Sequence, residues 1–292
     1  MAAFSPTTTP LNPWLVTVVV IVFLLVVIPL LGLYTATHPE KIISTGTPRD
    51  LGLDYEDVSF ATADGLTLRG WFIPGREGTQ PKTIIGLHGY PADKGDILPS
   101  LAFLHDQYAL LLFDFRGLGQ SERAISTVGL RETEDLVAAI RYLRQRGIDQ
   151  VGVWGFSMGG AVALMIAPRS PEIKAAVADS SYARLDLLAH ALYRFPILKY
   201  PLGWLTARYA SVFLEVDPAV RSPLRAAKSL TKPVLLIHSQ RDEVIPFDHA
   251  RRLQTALRHN AQAEFWFPQH LTHGELDPEY RQRLLKFFAA NL

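Results

Sequence analysis

The hydrophobic pattern divides the chain in two. The first charged side chain is Glu40, and residues 15–33 read LVTVVVIVFLLVVIPLLGL, interrupted only by Thr17, Pro29 and Gly32. At about 1.5 Å per residue this run covers most of a roughly 30 Å hydrocarbon layer. Trp14 and Tyr34 bracket it where interfacial aromatics are expected. It predicts a transmembrane helix over 14–34, between a tail at 1–13 and a Thr-, Gly- and Pro-containing linker at 35–53. Beyond it, β-branched runs at 55–61, 67–73, 82–87, 108–113, 150–154, 173–178, 233–238 and 263–267 alternate with helical stretches at 98–106, 132–146, 158–167, 248–259 and 278–291. Asp64-Gly65 is a hairpin signal, so the sheet is expected to open antiparallel. The later runs are almost continuously apolar, as strands are when helices cover both faces.

The apolar run reads as an uncleaved anchor rather than a signal peptide. No Lys or Arg precedes it, and Thr35-Ala36-Thr37 is a poor cleavage site. Lys41 and Arg49 nominally keep the following domain on the cytoplasmic side, but Glu40 and Asp50 offset them, so the side of the membrane stays open. The remaining residues, 54–292, fit one domain of alternating strands and helices.

Charge and composition narrow the chemistry. The chain carries 29 basic against 28 acidic side chains, with no basic cluster to hold nucleic acid. It has no cysteine, which removes thiol nucleophiles, iron–sulfur clusters and Cys-ligated zinc. No His-Glu-x-x-His or clustered carboxylates suggest a metal, and Gly117-Leu118-Gly119 fails as a dinucleotide loop because Glu122 takes the third glycine position. No cofactor is expected.

One motif carries chemistry. Gly155-Phe156-Ser157-Met158-Gly159 lies between a strand-like run and an alanine-containing helix. At this chain's Gly and Ser content, Gly-x-Ser-x-Gly would arise by accident about 0.07 times. A serine on a tight strand-to-helix turn has strained backbone angles, and flanking glycines let the helix pack close.

From residue 54 onward the sequence resembles the α/β-hydrolase superfamily. Besides the serine motif, Leu87-His88-Gly89-Tyr90 is similar to the family's oxyanion segment, and the run from Asp114 to Ser121 to its Asp-x-Arg-Gly-x-Gly-x-Ser turn. The run from His238 to Pro246 resembles the loop that carries the family's acid. The resemblance implies a mostly parallel eight-stranded sheet with an antiparallel start, helices on both faces, and a helical cap inserted at about 180–230. It implies a serine nucleophile, then an acid, then a histidine in chain order.

On that pattern Ser157 is the nucleophile and Asp242 the leading acid, with Asp179 its rival and Glu243 a weaker third. The base is His273 or His270, and His273 is preferred because Pro278-Glu279-Tyr280 starts a helix a few residues beyond it. Backbone N–H groups of Met158 and Tyr90 would form the oxyanion hole. Cap aromatics Tyr182, Tyr193, Phe195, Tyr200, Trp204, Tyr209 and Phe213 either line an acyl pocket or pack the cap onto the sheet. The expected activity is membrane-anchored hydrolysis of small-molecule or lipid carboxylic esters through an acyl-enzyme. A thioesterase acting on lipidated proteins, a serine peptidase, and a noncatalytic membrane-tethered binding protein are the alternatives.

Overall fold

The computed structural model describes residues 12–75, 82–194 and 196–292. Most of the expected N-terminal tail, residues 1–11, and Phe195 of the cap lie outside the described residues.

Helix α1, Pro13–Thr37, outruns the expected span by a turn and closes where the His38 amide donates to the Tyr34 carbonyl at 2.9 Å. It begins at Asn12, whose side chain accepts from the Trp14 amide. Residues 13–27 are exposed, whereas Pro29, Leu33 and Thr37, spaced four apart on one face, are buried. The expected linker therefore starts inside the helix. It is held to the body: the Tyr90 hydroxyl donates to the Ala36 carbonyl at 2.9 Å, and the Ser126 amide to the Thr37 carbonyl at 3.0 Å.

The body is an eight-stranded sheet. Strands β1 (Glu56–Ala61) and β2 (Thr67–Ile73) form the expected antiparallel hairpin, and β2 pairs antiparallel with β4 (Ala109–Phe113). From β4 the sheet continues in parallel through β3 (Thr83–Leu87), β5 (Val151–Phe156), β6 (Ile173–Asp179), β7 (Val234–Ile237) and β8 (Ala263–Trp266).

Alternation along the central strands feeds two cores. Ile85, Leu111, Phe113, Val153 and Ala176 join one cluster, with helices α3 (Glu132–Gln145), α4 (Met158–Ile166) and α8 (Asp248–Ala256) contributing Leu136, Val162 and Leu253. Ile84, Leu110, Leu112, Trp154 and Val177 join the other, with α2 (Lys94–Leu101) and α9 (Pro278–Asn291) adding Leu98, Leu284 and Phe288. Burial on both faces is why these strands read as continuous apolar runs. Helix α2 starts four residues before the expected 98 because Asp93 caps it, accepting from the Gly95 and Asp96 amides.

The turn after β4 is a structural knot. Asp114 accepts from the Lys94 ammonium at 2.8 Å and the Gln120 amide at 2.8 Å, while the Arg116 guanidinium reaches Asp135 at 2.7 Å and Asp64 at 2.9 Å. Gly119 is required there: a Cβ would sit 2.3 Å from the Asp114 carboxyl carbon, and its φ is +47°. Between β6 and β7 the chain leaves the sheet to build the cap from α5 (Leu185–Leu188), a 3-10 turn, α6 (Lys199–Phe213) and α7 (Pro223–Ala227).

Candidate active site

Ser157 joins β5 to α4 with φ +53° and ψ −111°, a conformation that costs a non-glycine residue about 1–3 kcal/mol. The surroundings enforce it. The Ser157 amide donates to the Asp179 carbonyl at 2.8 Å, tying the turn to the end of β6. The flanking glycines are there for contact: a Cβ on Gly155 would lie 2.2 Å from the Gly159 carbonyl oxygen, and one on Gly159 2.2 Å from that of Leu87. Helix α4 thus begins directly behind the serine, and the Met158 amide, at its first position, has no acceptor within the helix.

The expected oxyanion segment lies against this turn. A Cβ on Gly89 would be 3.4 Å from the Ser157 Cβ and 3.1 Å from the Phe156 ring, so the Gly89–Tyr90 backbone lies close against the serine turn and a side chain there would press on the phenyl ring. His88 is fully buried and holds the segment from below. Its Nδ1 bonds the Gly89 carbonyl at 2.7 Å and its Nε2 accepts from the Phe115 amide at 3.1 Å. Burial lowers its pKa, which keeps the ring neutral and Nε2 able to accept.

The loops after β7 and β8 bring Asp242 and His273 together. The His273 Nδ1 donates to Asp242 Oδ2 at 2.7 Å, and Asp242 Oδ1 accepts from the Val244 and Ile245 amides at 2.9 and 2.7 Å. Burial works against the Asp242 charge, but the His273 and Ile245 hydrogen bonds outweigh it and hold the carboxyl below its ordinary pKa. The His273 ring packs on Phe156, the residue before Ser157, with centroids 4.8 Å apart. Gly274, at φ +78°, turns the chain over the same phenyl ring. The Ser239 hydroxyl anchors this loop through the Leu271 carbonyl.

The rival residues have other partners. His270 is exposed and bonds Asp277 at 2.9 Å, the residue that caps α9 by accepting from the Tyr280 amide. Asp179 is buried, accepting from the Tyr280 hydroxyl at 2.7 Å and the Ser180 hydroxyl at 3.0 Å. Burial pushes its carboxyl up to about 6 despite those two bonds. Glu243 is exposed.

Two neighbours of the site, Trp154 and His238, are given no role by the motifs. The Trp154 indole N–H donates to the Tyr280 oxygen at 2.8 Å, extending the Asp179 network into the core. Buried His238 donates from Nε2 to the Ile245 carbonyl at 2.8 Å and lies 3.6 Å from Asp242, backing the acid with a ring that burial keeps neutral.

The cap aromatics divide by burial. Tyr182 is buried and donates to the Val128 carbonyl at 2.7 Å, and Tyr193 packs its hydroxyl against Thr206 and Gly32. Tyr200, Trp204 and Phe213 are exposed. The cavity beneath the cap, about 250 Å³, is instead bordered by Tyr90, aliphatic cap side chains and the end of α1.

Comparison with known proteins agrees with this architecture. A family described as alpha/beta hydrolase fold matches residues 82–216. The YfhR protein of Escherichia coli (strain K12) is 28% identical over 241 residues, 80% of this chain and 78% of its own. The Arabidopsis thaliana alpha/beta hydrolase domain-containing protein WAV2 is 28% identical over 254 residues, 82% of this chain and 77% of its own. Among solved structures, the Pyrococcus furiosus esterase Pf2001 superposes with a TM-score of 0.73 at 30% identity, covering 87% of this chain and 99% of that one. A Pyrococcus horikoshii acylaminoacyl peptidase shares the fold with a TM-score of 0.64 at 22% identity, over 82% of this chain and 42% of that one. A likeness that takes in almost the whole of Pf2001, with the antiparallel opening and the serine turn after β5 in place, means that this chain belongs to the α/β-hydrolase fold family.

Proposed function

We propose that this protein is a membrane-anchored serine hydrolase that cleaves carboxylic esters through an acyl-enzyme. The observation that carries the reading is the 2.7 Å bond from His273 Nδ1 to Asp242, made by a ring packed on Phe156, next to the strained Ser157. With Nδ1 committed to the carboxylate, Nε2 is the nitrogen left to exchange a proton with Ser157 Oγ.

In the reaction, Ser157 Oγ attacks the ester carbonyl as His273 Nε2 takes its proton. Asp242 stabilises the imidazolium, and the Met158 and Tyr90 amides bind the oxyanion. Collapse expels the alcohol with the proton from His273 and leaves an acyl group on Ser157. Water then attacks by the same base catalysis, releasing the carboxylic acid and restoring the serine.

An ester is favoured as the bond cleaved by the Pf2001 esterase, whose likeness spans that whole chain, whereas the peptidase likeness supports the fold alone. The anchor reading is supported by α1, 25 residues long and exposed along its apolar first fifteen. A fluorophosphonate probe tests the mechanism. It should form one covalent adduct, mapped to Ser157 by peptide mass spectrometry. An adduct elsewhere, or none on folded protein, counts against it.

A further inference from the structure

The cavity under the cap is not enclosed by the hydrolase body alone. Leu33, Ala36 and Thr37 of α1 border it on one side, and Leu188, Ala207 and Ala210 of the cap border it on another. Tyr90, whose backbone amide is the expected oxyanion donor, also borders it, and its hydroxyl donates to the Ala36 carbonyl at 2.9 Å. Its lining is almost wholly apolar, and about 250 Å³ has room for roughly eight methylene-sized groups.

Helix α1 and helix α6 run side by side. Thr206 approaches the Pro29 carbonyl, Tyr193 from the cap fills the notch at Gly32, and Ala207 and Ala210 flank the cavity that Leu33 and Ala36 enter. Residues 13–27 of α1 are exposed without a break, about 22 Å of helix at 1.5 Å per residue. A hydrocarbon layer is about 30 Å thick, so the turns from Ile28 to Leu33, and the part of α6 packed on them, come to lie within its edge. The turn before α6 and the start of the helix carry the surface this requires: Ile197 and Leu198 of the turn and Tyr200 and Trp204 of the helix are all more than half exposed. Leu33 lies only about 7 Å along the helix from Ile28.

We propose that the last two turns of α1 are a wall of the acyl-binding site, and that the cavity takes a medium-length acyl chain of a bilayer-resident ester entering alongside the helix. The inference rests on the serine-hydrolase reading above and specifies its substrate class. The anchor is then part of the enzyme's specificity as well as its tether.

Two measurements on the full-length protein in phosphatidylcholine vesicles test it. In a series of p-nitrophenyl esters, kcat/KM should rise about four-fold per methylene and level off near eight carbons. Filling the cavity by Ala210→Trp, or from the opposite wall by Leu188→Phe, should lower the octanoate-to-acetate ratio at least ten-fold. An unchanged ratio in both variants overturns the proposal. The second measurement does not depend on the nucleophile. Decanoic acid bearing a terminal diazirine, photolysed with Ser157→Ala protein, should label residues 33–37, and Ala210→Trp should abolish that label while lipid-facing labelling of 13–27 persists. Equal labelling of 33–37 with and without Ala210→Trp removes the acyl site even if Ser157 proves to be the nucleophile. Loss of hydrolysis chemistry with the labelling pattern intact would instead remove the serine mechanism and leave the site.

Discussion

The hydroxyl of Tyr280 donates a 2.7 Å hydrogen bond to Asp179, and with the Ser180 hydroxyl it occupies the carboxyl of the residue that most closely rivals Asp242. Asp242 meets an imidazole instead, at 2.7 Å. Two buried carboxyls, one ending β6 and one in the loop after β7, thus have different partners.

The contrast predicts a ranking. His273→Ala and Asp242→Asn should each lower kcat by several powers of ten, since a misoriented or absent base forfeits general-base assistance. Asp179→Asn and His270→Ala should each lose less than about ten-fold, because neither contacts the His273–Asp242 pair by a hydrogen bond. Steady-state kinetics on a soluble aryl ester decide it, and the reverse order at either pair reassigns that role.

The knot after β4 predicts a stability effect. Asp114→Ala leaves the Lys94 ammonium, 2% exposed, without its carboxylate. Breaking a buried pair by removing one partner costs about 3–5 kcal/mol. Urea denaturation should show a loss of this size with an unchanged slope, and a loss below about 1 kcal/mol would mean that water and the existing 2.9 Å Gln120 bond satisfy the ammonium without the carboxylate.

His249 predicts acid lability. Its buried Nδ1 accepts from the Ala183 amide at 2.9 Å, and burial lowers its pKa to about 4. The folded state therefore binds fewer protons than the unfolded chain between about pH 6.5 and pH 4, and stability falls as pH drops through that window. Asp179, pushed up to about 6, acts in the opposite sense, so the informative quantity is a difference. Relative to His249→Asn, which keeps an acceptor, wild type should lose about 3 kcal/mol between pH 7.5 and pH 4. A flat difference contradicts the assignment.

Helix α1 predicts two outcomes from two truncations. A chain beginning at Ile28 keeps every buried contact of the helix and should unfold like the full-length protein. One beginning at His38 loses buried Leu33, worth about 2 kcal/mol, and the 2.9 Å Tyr90–Ala36 bond. Its midpoint in urea should fall, and equal midpoints would mean that the cap does not depend on the helix.

The parts of this fold legible in the sequence are those fixed by local rules. Strand alternation, the Asp64-Gly65 hairpin and the Gly-x-Ser-x-Gly turn each report a constraint carried by neighbouring residues. The choice between Asp242 and Asp179 was open because it depends on Tyr280, 101 positions from Asp179. The packing of α1 was invisible for another reason: lipid and a protein core both select apolar residues, so nothing in the run separates Leu33, which faces the cap, from Leu31, which is exposed. Among the cap aromatics, composition alone does not separate buried Tyr182 from exposed Trp204, and on the cap side the cavity is bordered mainly by leucines and alanines instead.

The most direct test of the account is the turnover of Ser157→Ala on a soluble aryl ester, measured on protein with the wild-type urea midpoint. The predicted result is a fall in kcat of about four powers of ten or more, with a residue of catalysis from the oxyanion amides. Hydrolysis at the wild-type rate would contradict the mechanism at its centre.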